Sequence, residues 1–111
     1  MFSKEHRLSK TADIQRVFAK GRAFFNPWMS IRFLASPRVR FTVVVSTKVA
    51  KSAVRRNRLR RVAREYLRLR LDRFIPGDYA VILKPLAASL EAETLRGKLE
   101  ELLVKAKLLG S

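Results

Sequence analysis

The most informative part of the chain is KVAKSAVRRNRLRRVAREYLRLRLDR, residues 48–73. Its apolar residues recur at i, i+3, i+4, i+7 and i+8, which is the spacing of one stripe on an α-helix. They are Leu59, Val62, Ala63, Tyr66 and Leu67. The spacing therefore predicts an amphipathic helix over residues 53–71 that buries this stripe and turns its other side outward.

The outward side of this helix is strongly cationic. The stretch holds eleven Lys and Arg against two acids, and nine of the eleven are Arg. Cations four residues apart destabilise an isolated helix by roughly 0.2–0.5 kcal/mol per pair, so the pattern favours a polyanionic ligand that offsets the repulsion. Arg also suits this ligand because a guanidinium group forks onto phosphate and stacks on bases. The predicted binding residues are Lys48, Lys51, Arg55, Arg56, Asn57, Arg58, Arg60, Arg61, Arg64 and Arg68.

The whole chain has the size of one domain, residues 1–111, and a formal charge of +16. Residues 1–83 carry 20 cations and 5 acids, whereas residues 84–111 carry 5 cations and 4 acids. A charge of this size favours nucleic acid as the partner. No apolar run reaches the roughly 20 residues of a spanning helix, and the N-terminus lacks the apolar region of a signal peptide. We therefore expect a cytoplasmic protein with no membrane partner.

The predicted first helix begins with Ser9 or Thr11 as its cap, runs to about Lys20 and stops at Gly21 in the C′ position. On periodicity alone, its buried residues are Ile14, Val17 and Phe18. The predicted last helix is capped by Ser89, and its buried stripe comprises Leu95, Leu99, Leu102, Leu103 and Ala106.

Strands are predicted over residues 22–25, 28–34, 39–46 and 79–83. The third is expected to be antiparallel to the second and central in its sheet, because it contains three consecutive valines. The fourth follows a Pro-Gly-Asp turn at residues 76–78, and its wholly apolar sequence predicts burial on both faces. The element order is that of an α+β sandwich with one small sheet. The cationic surface is expected to continue onto the sheet through Arg32, Arg38 and Arg40.

Catalytic groups are missing from this pattern. The acids do not pair with the single histidine, His6, and they form no cluster for Mg²⁺ in the sequence. No Gly-rich phosphate-binding loop is present. We therefore expect a non-catalytic chain that binds no cofactor of its own. An outward face of nearly pure Arg favours recognition of backbone and shape, which is typical of structured RNA. A ribosomal or other RNA-binding protein and a DNA-binding module remain alternatives.

The arginine motif AVRRNRLRRVARE, residues 53–65, strongly resembles the signature of the bacterial ribonuclease P protein subunit. Two further segments are similar to the same family: RLSKTADIQRVFAKG, residues 7–21, to its first helix, and DYAVI, residues 78–82, to its last strand. The sequence departs from the family pattern at Ile14, where an aromatic is usual, at Thr47, commonly Lys, and at Ala50, often Gly.

The resemblance implies a two-layer α+β sandwich of order αβββαβα. Its small mixed sheet would contain a left-handed βαβ crossover through the basic helix, against the usual right-handed rule. It also implies a subunit of an endoribonuclease holoenzyme that binds the catalytic RNA and the 5′ leader of precursor tRNA. The RNA would perform the hydrolysis with Mg²⁺, and no protein partner would be obligatory. The residues implied for a leader-binding cleft are Arg7, Ile14, Phe18 and Arg32.

Overall fold

The structure is a computed structural model that describes residues 4–110. Within that range the predicted order αβββαβα is confirmed. The elements are α1 (Thr11–Lys20), β1 (Arg22–Phe25), β2 (Met29–Ala35), β3 (Val39–Val44), α2 (Ala53–Arg68), β4 (Gly77–Leu83) and α3 (Ala92–Lys105). Short 3-10 turns precede α1, β4 and α3. The fold class inferred from the sequence is therefore correct.

The sheet has the strand order β1-β2-β4-β3. Strands β1 and β2 are antiparallel, as are β2 and β4, whereas β3 and β4 are parallel neighbours joined through α2. This is the predicted βαβ crossover, whose hand remains an implication of the resemblance. The central position predicted for β3 is wrong, because the crossover inserts β4 between β2 and β3.

The apolar run of β3 is explained by what covers this edge strand, and not by a central position in the sheet. Val43 and Val45 are buried in the core that faces α2. The outer edge of β3 is partly covered by the segment before α1, where the Leu8 N–H donates to the Phe41 carbonyl at 2.8 Å. An edge strand covered in this way buries apolar residues as a central strand does.

Each face of the sheet carries a core. The larger core packs alternate residues of β2, β3 and β4 against α2 and α3, and it includes Leu59, Ala63, Tyr66, Leu67, Leu95, Leu99, Leu102 and Leu103. The buried stripes predicted for both helices are thus confirmed, except that Val62 and Ala106 are only partly buried. The smaller core lies under α1 on the opposite face and comprises Leu8, Val17 and Ala80. Strand β4 is buried on both faces, as predicted, apart from the half-buried Ile82.

Several predicted element ends are wrong. Lys10 precedes α1, and no side chain caps that helix. Ser89 belongs to the 3-10 turn Pro85–Ser89, where its hydroxyl donates to the Leu86 carbonyl, and Glu91 precedes α3. Helix α2 ends at Arg68, and β4 already includes Gly77 and Asp78. Helix ends depend on local geometry that periodicity does not encode.

Gly21 follows α1, as predicted, and its φ of −73° lies outside the left-handed region. Glycine is needed there for close approach: a Cβ would lie 2.3 Å from the Val17 carbonyl oxygen and 3.0 Å from that of Phe33. Both obstacles are backbone atoms. The residue therefore lets the end of α1 approach β2.

Gly21→Ala is expected to lower the free energy of unfolding by about 1–3 kcal/mol, because backbone must shift to admit the methyl group. Gly97→Ala is the matched control, since nothing lies within 4 Å of a Cβ at that position in α3. The control should stabilise the protein by about 0.5–1 kcal/mol through helix propensity. Thermal and urea unfolding of both variants measure the difference. Equal stabilities of the two variants would contradict the close-approach explanation.

Candidate nucleic-acid interface

Helix α2 presents free guanidinium groups because its other side is locked in the core. The Ser52 hydroxyl accepts from the Arg55 N–H at the start of the helix, and Leu59 and Ala63 are buried. Arg58 and Arg61 are exposed, and neither makes a hydrogen bond or ion pair with any residue from 4 to 110. These two side chains can therefore donate all their N–H groups to a ligand.

Other predicted binding residues also hold the fold. Nη1 of Arg56 donates to the carbonyls of Ala50 (2.9 Å) and Lys51 (2.7 Å) and so ties the loop before α2 to the helix. Arg60 donates to Asn57 Oδ1 at 2.6 Å and to the Val45 carbonyl at 3.2 Å. A guanidinium group has five N–H donors, so each keeps donors for phosphate.

The remaining predicted residues differ in how far their charge is balanced. Lys48 and Lys51 are exposed just before α2. Arg55 is exposed and donates to the Ala88 carbonyl at 3.2 Å. Arg68 forms an ion pair with Glu65, so part of its charge is neutralised within the helix. No carboxylate within residues 4–110 forms an ion pair with the other predicted arginines, so α2 keeps their positive charge, and Arg58 and Arg61 also keep all their donors.

Arg64 joins the arginine surface of α2 to a neighbouring cleft. The cleft has a volume of about 440 Å³ and is lined by Arg7, Leu8, Ser9, Ile14, Phe41, Thr42 and Arg64. Partial burial, together with the charges of Arg60 and Arg7, lowers the pKa of Arg64. None of the described residues lining the cleft is acidic. An anion bound there would relieve the repulsion among these cations.

Two of the four predicted cleft residues lie in this cleft, whereas Phe18 lies farther along α1 and Arg32 lies on β2. Arg7 and Ile14 line it with Arg64. Phe18 and Arg32 form a separate pair, in which Arg32 Nη1 donates to the Phe18 carbonyl at 3.0 Å and the guanidinium lies 5.8 Å from the ring centroid. Because Ile14 and Phe18 are four residues apart, they lie on the same side of α1.

The prediction that Ile14, Val17 and Phe18 of α1 are all buried is wrong in part. Val17 is fully buried, Ile14 is partly buried, and Phe18 is 37% exposed. The short helix covers only part of the sheet, and Val17 occupies the space above Ala80. Phe18 is therefore left at the rim, where its ring is accessible to a ligand.

An open row of side chains crosses the sheet on the same face as α1. Sequence reasoning missed it because it joins one residue from each of the four strands. The row follows the register of the pairs Phe25–Ser30, Ser30–Ile82 and Ile82–Val44. Phe25 is 71% exposed, and the other three are half-buried. The alternation of β4 gave a partial signal, because Ala80 and Ile82 share this face.

Arg40 does not extend the cationic surface, contrary to the expectation from the sequence. Its Nε and Nη2 donate to the buried carboxylate of Asp78 at 2.7 and 2.8 Å, and its Nη1 donates to Asp13 at 3.3 Å. The hydrogen bond with Asp78 raises the pKa of Arg40. Two carboxylates thus neutralise this guanidinium. Because Asp13 belongs to α1 and Asp78 to β4, Arg40 links α1 to the sheet.

The described carboxylates offer no ready set of metal ligands. No group of three His, Asp or Glu side chains lies together anywhere in residues 4–110. Near the interface, Asp13 and Asp78 are held by Arg40, and Glu65 is held by Arg68. In the same part of the chain, no helix has both the length and the apolar character that a membrane span requires.

The family model described as Ribonuclease P matches residues 2–107. The chain belongs to the ribonuclease P protein family. The ribonuclease P protein component of Exiguobacterium sp. strain AT1b is 34% identical over 95% of this chain and 93% of its own length. That of Synechococcus elongatus is 37% identical over 94% of this chain and 92% of its own length.

Solved structures of ribonuclease P proteins share the fold. The Staphylococcus aureus protein has a TM-score of 0.90 at 27% identity, covering 96% of this chain and all of that one. The Thermotoga maritima protein has a TM-score of 0.80 at 28% identity, covering 89% of this chain and 96% of that one. As a member of the ribonuclease P protein family, the chain is the protein subunit of an endoribonuclease that processes tRNA, and it associates with an RNA subunit.

Proposed function

We propose that the arginine surface of α2 binds the catalytic RNA of ribonuclease P and that the neighbouring cleft receives the 5′ leader of precursor tRNA. One observation carries this proposal: Arg64 belongs to both places, since it lies on α2 and lines the cleft with Arg7 and Ile14. A single side chain can thus contact both RNAs where they meet. Phe18 on α1 and Arg32 on β2 extend this surface toward more distant leader nucleotides.

The protein acts in this proposal as a charged spacer between two polyanions. Residues 1–83, with 20 cations against 5 acids, lower the repulsion between the catalytic RNA and its substrate. In this proposal Mg²⁺ is held by the RNA, where the hydrolysis occurs, which is compatible with the pairing of the described carboxylates near the interface with arginines. The RNA subunit and precursor tRNA are the only partners this role requires, and they place the protein in the cytoplasm.

Cleavage of precursor tRNA by a bacterial ribonuclease P RNA at low Mg²⁺, with and without this protein, tests the proposal. Activation is expected only when RNA and protein are both present, and the protein alone is the control. Failure with several types of ribonuclease P RNA would favour a structured-RNA-binding protein that has no role in cleavage.

The holoenzyme is also expected to bind precursor tRNA at least tenfold more tightly than mature tRNA at low Mg²⁺. The leader adds phosphate contacts in the cleft and base contacts with Phe18, and one stacked base contributes about 1–3 kcal/mol. Competition binding with the two tRNA forms measures the ratio. Phe18→Ala should lower this ratio while leaving affinity for mature tRNA unchanged. Equal affinity of the holoenzyme for both forms would contradict the role of the cleft.

A further inference from the structure

A second cationic groove lies at the opposite edge of the sheet from the Arg7–Arg64 cleft. It has a volume of about 370 Å³, and its lining includes Arg22, Phe24, Phe25, Leu102, Lys105 and Lys107. Strand β1 forms one side and the C-terminal end of α3 forms the other. Since β1 and β3 are the two edges of a four-stranded sheet, roughly 14 Å separates the groove from the β3 edge.

The groove combines cations with aromatic rings. Three cations line it, and none of its described lining residues is acidic. The guanidinium of Arg22 lies 5.3 Å from the centroid of the Phe24 ring, and Lys84 Nζ lies 5.1 Å from that of Phe25. Phe25 is 71% exposed even though burying its ring would be favourable. Surfaces that bind single-stranded nucleic acid have this composition, because cations contact phosphates while aromatic rings stack on bases.

We infer that this groove is a further binding site, which takes a single-stranded RNA segment. Phe25 would stack on a base, and Arg22, Lys105 and Lys107 would contact the adjoining phosphates. Pairing of the free β1 edge with a second copy of this chain is disfavoured, because it would bring two sets of these cations together. The inference does not rest on the proposed function, since the groove is separate from both the arginine surface and the leader cleft.

Photochemical crosslinking of a short thiouridine-containing oligouridylate to the full-length protein tests the site directly. Trypsin cleaves after Arg22 and Arg32, and fragmentation of the peptide of residues 23–32 separates crosslinks at Phe24 and Phe25 in the groove from crosslinks at Arg32 beside Phe18. Crosslinks are expected at Phe24 or Phe25 as well as in peptides from α1 and α2. Crosslinks confined to Arg32, α1 and α2 would overturn the inference.

Affinity for the same oligouridylate is then compared between variants in the Phe18→Ala/Arg58→Ala/Arg61→Ala background, which weakens binding at the leader cleft and at the arginine surface. Phe25→Ala is expected to weaken binding about tenfold, the effect of one lost stack. Arg22→Gln and Lys105→Gln should each reduce the slope of log affinity against log salt by about 0.7. Leu86→Ala and Arg96→Gln are matched controls, because they change an exposed apolar residue and an exposed cation outside the groove.

Either of two results would overturn the inference. One is unchanged affinity in the Phe25→Ala, Arg22→Gln and Lys105→Gln variants. The other is a concentration-dependent dimer in sedimentation that Phe25→Ala abolishes, which would identify the groove as a contact between copies of the chain.

Discussion

Replacing Arg58 and Arg61 together with alanine is expected to weaken binding of the ribonuclease P RNA about a hundredfold. A hydrogen bond to a charged group contributes about 1.5–3 kcal/mol, so each arginine accounts for at least about tenfold. The slope of log affinity against log salt should fall by about 1 for each arginine that contacts phosphate. Filter binding or fluorescence anisotropy over a salt series measures both quantities.

This loss should occur without a change in the fold. Neither side chain has a hydrogen bond or ion pair within residues 4–110, so thermal stability should remain within about 0.5 kcal/mol of the original. Arg96→Ala, an exposed cation on α3, is the control, and the RNA affinity of that variant should be nearly unchanged. Equal losses for Arg58→Ala, Arg61→Ala and Arg96→Ala would indicate a general charge effect and contradict a specific arginine surface.

Replacing Arg40 with methionine should have the largest effect on stability, lowering the free energy of unfolding by about 3–5 kcal/mol. The change leaves the buried carboxylate of Asp78 without the guanidinium that pairs with both its oxygens. For a domain of this size, the melting temperature is then expected to fall by more than about 10 °C. Differential scanning calorimetry measures the shift.

Two comparisons isolate the cause of this destabilisation. Arg16→Ala removes only the outer contact with Asp13, a 3.6 Å ion pair of an exposed side chain, and should cost less than about 1 kcal/mol. The double variant Arg40→Met/Asp78→Asn should recover part of the lost stability, because it also removes the buried charge. A double variant less stable than Arg40→Met would show that packing around Arg40, and not the unpaired carboxylate, controls stability.

The sequence predicts α2 well because one period encodes both of its faces. The apolar residues from Leu59 to Leu67 recur at helical spacing, and the arginines occupy the remaining positions. The strand order could not be read in this way. A valine-rich strand is expected at the centre of a sheet, but β3 is an edge strand that is buried by α2 and by the segment before α1. Only the long-range pairing of β4 distinguishes these cases.

The candidate site can be predicted from the sequence only in part, because helical spacing identifies the arginine surface but does not show which arginines are neutralised. Arg58 and Arg40 are the same type of residue, yet Arg58 is available to a ligand whereas Arg40 is neutralised by Asp13 and Asp78. The carboxylates that decide this come from α1 and β4, far from Arg40 along the chain. The cleft likewise joins Arg7 to Arg64. Residue type and spacing therefore identify the cationic helix, whereas tertiary contacts select the cations that remain available.

The strand order also determines when the sheet can be completed during synthesis. Strands β2 and β3 are made early, but each pairs with β4, which is made only after α2. Until residues 77–83 leave the ribosome, the nascent chain has a hairpin of β1 and β2 and two strand edges without their partner. Such edges are prone to pair with other chains, and non-local pairing is slow. Translation of the last third of the chain is therefore the step at which misfolding competes with folding.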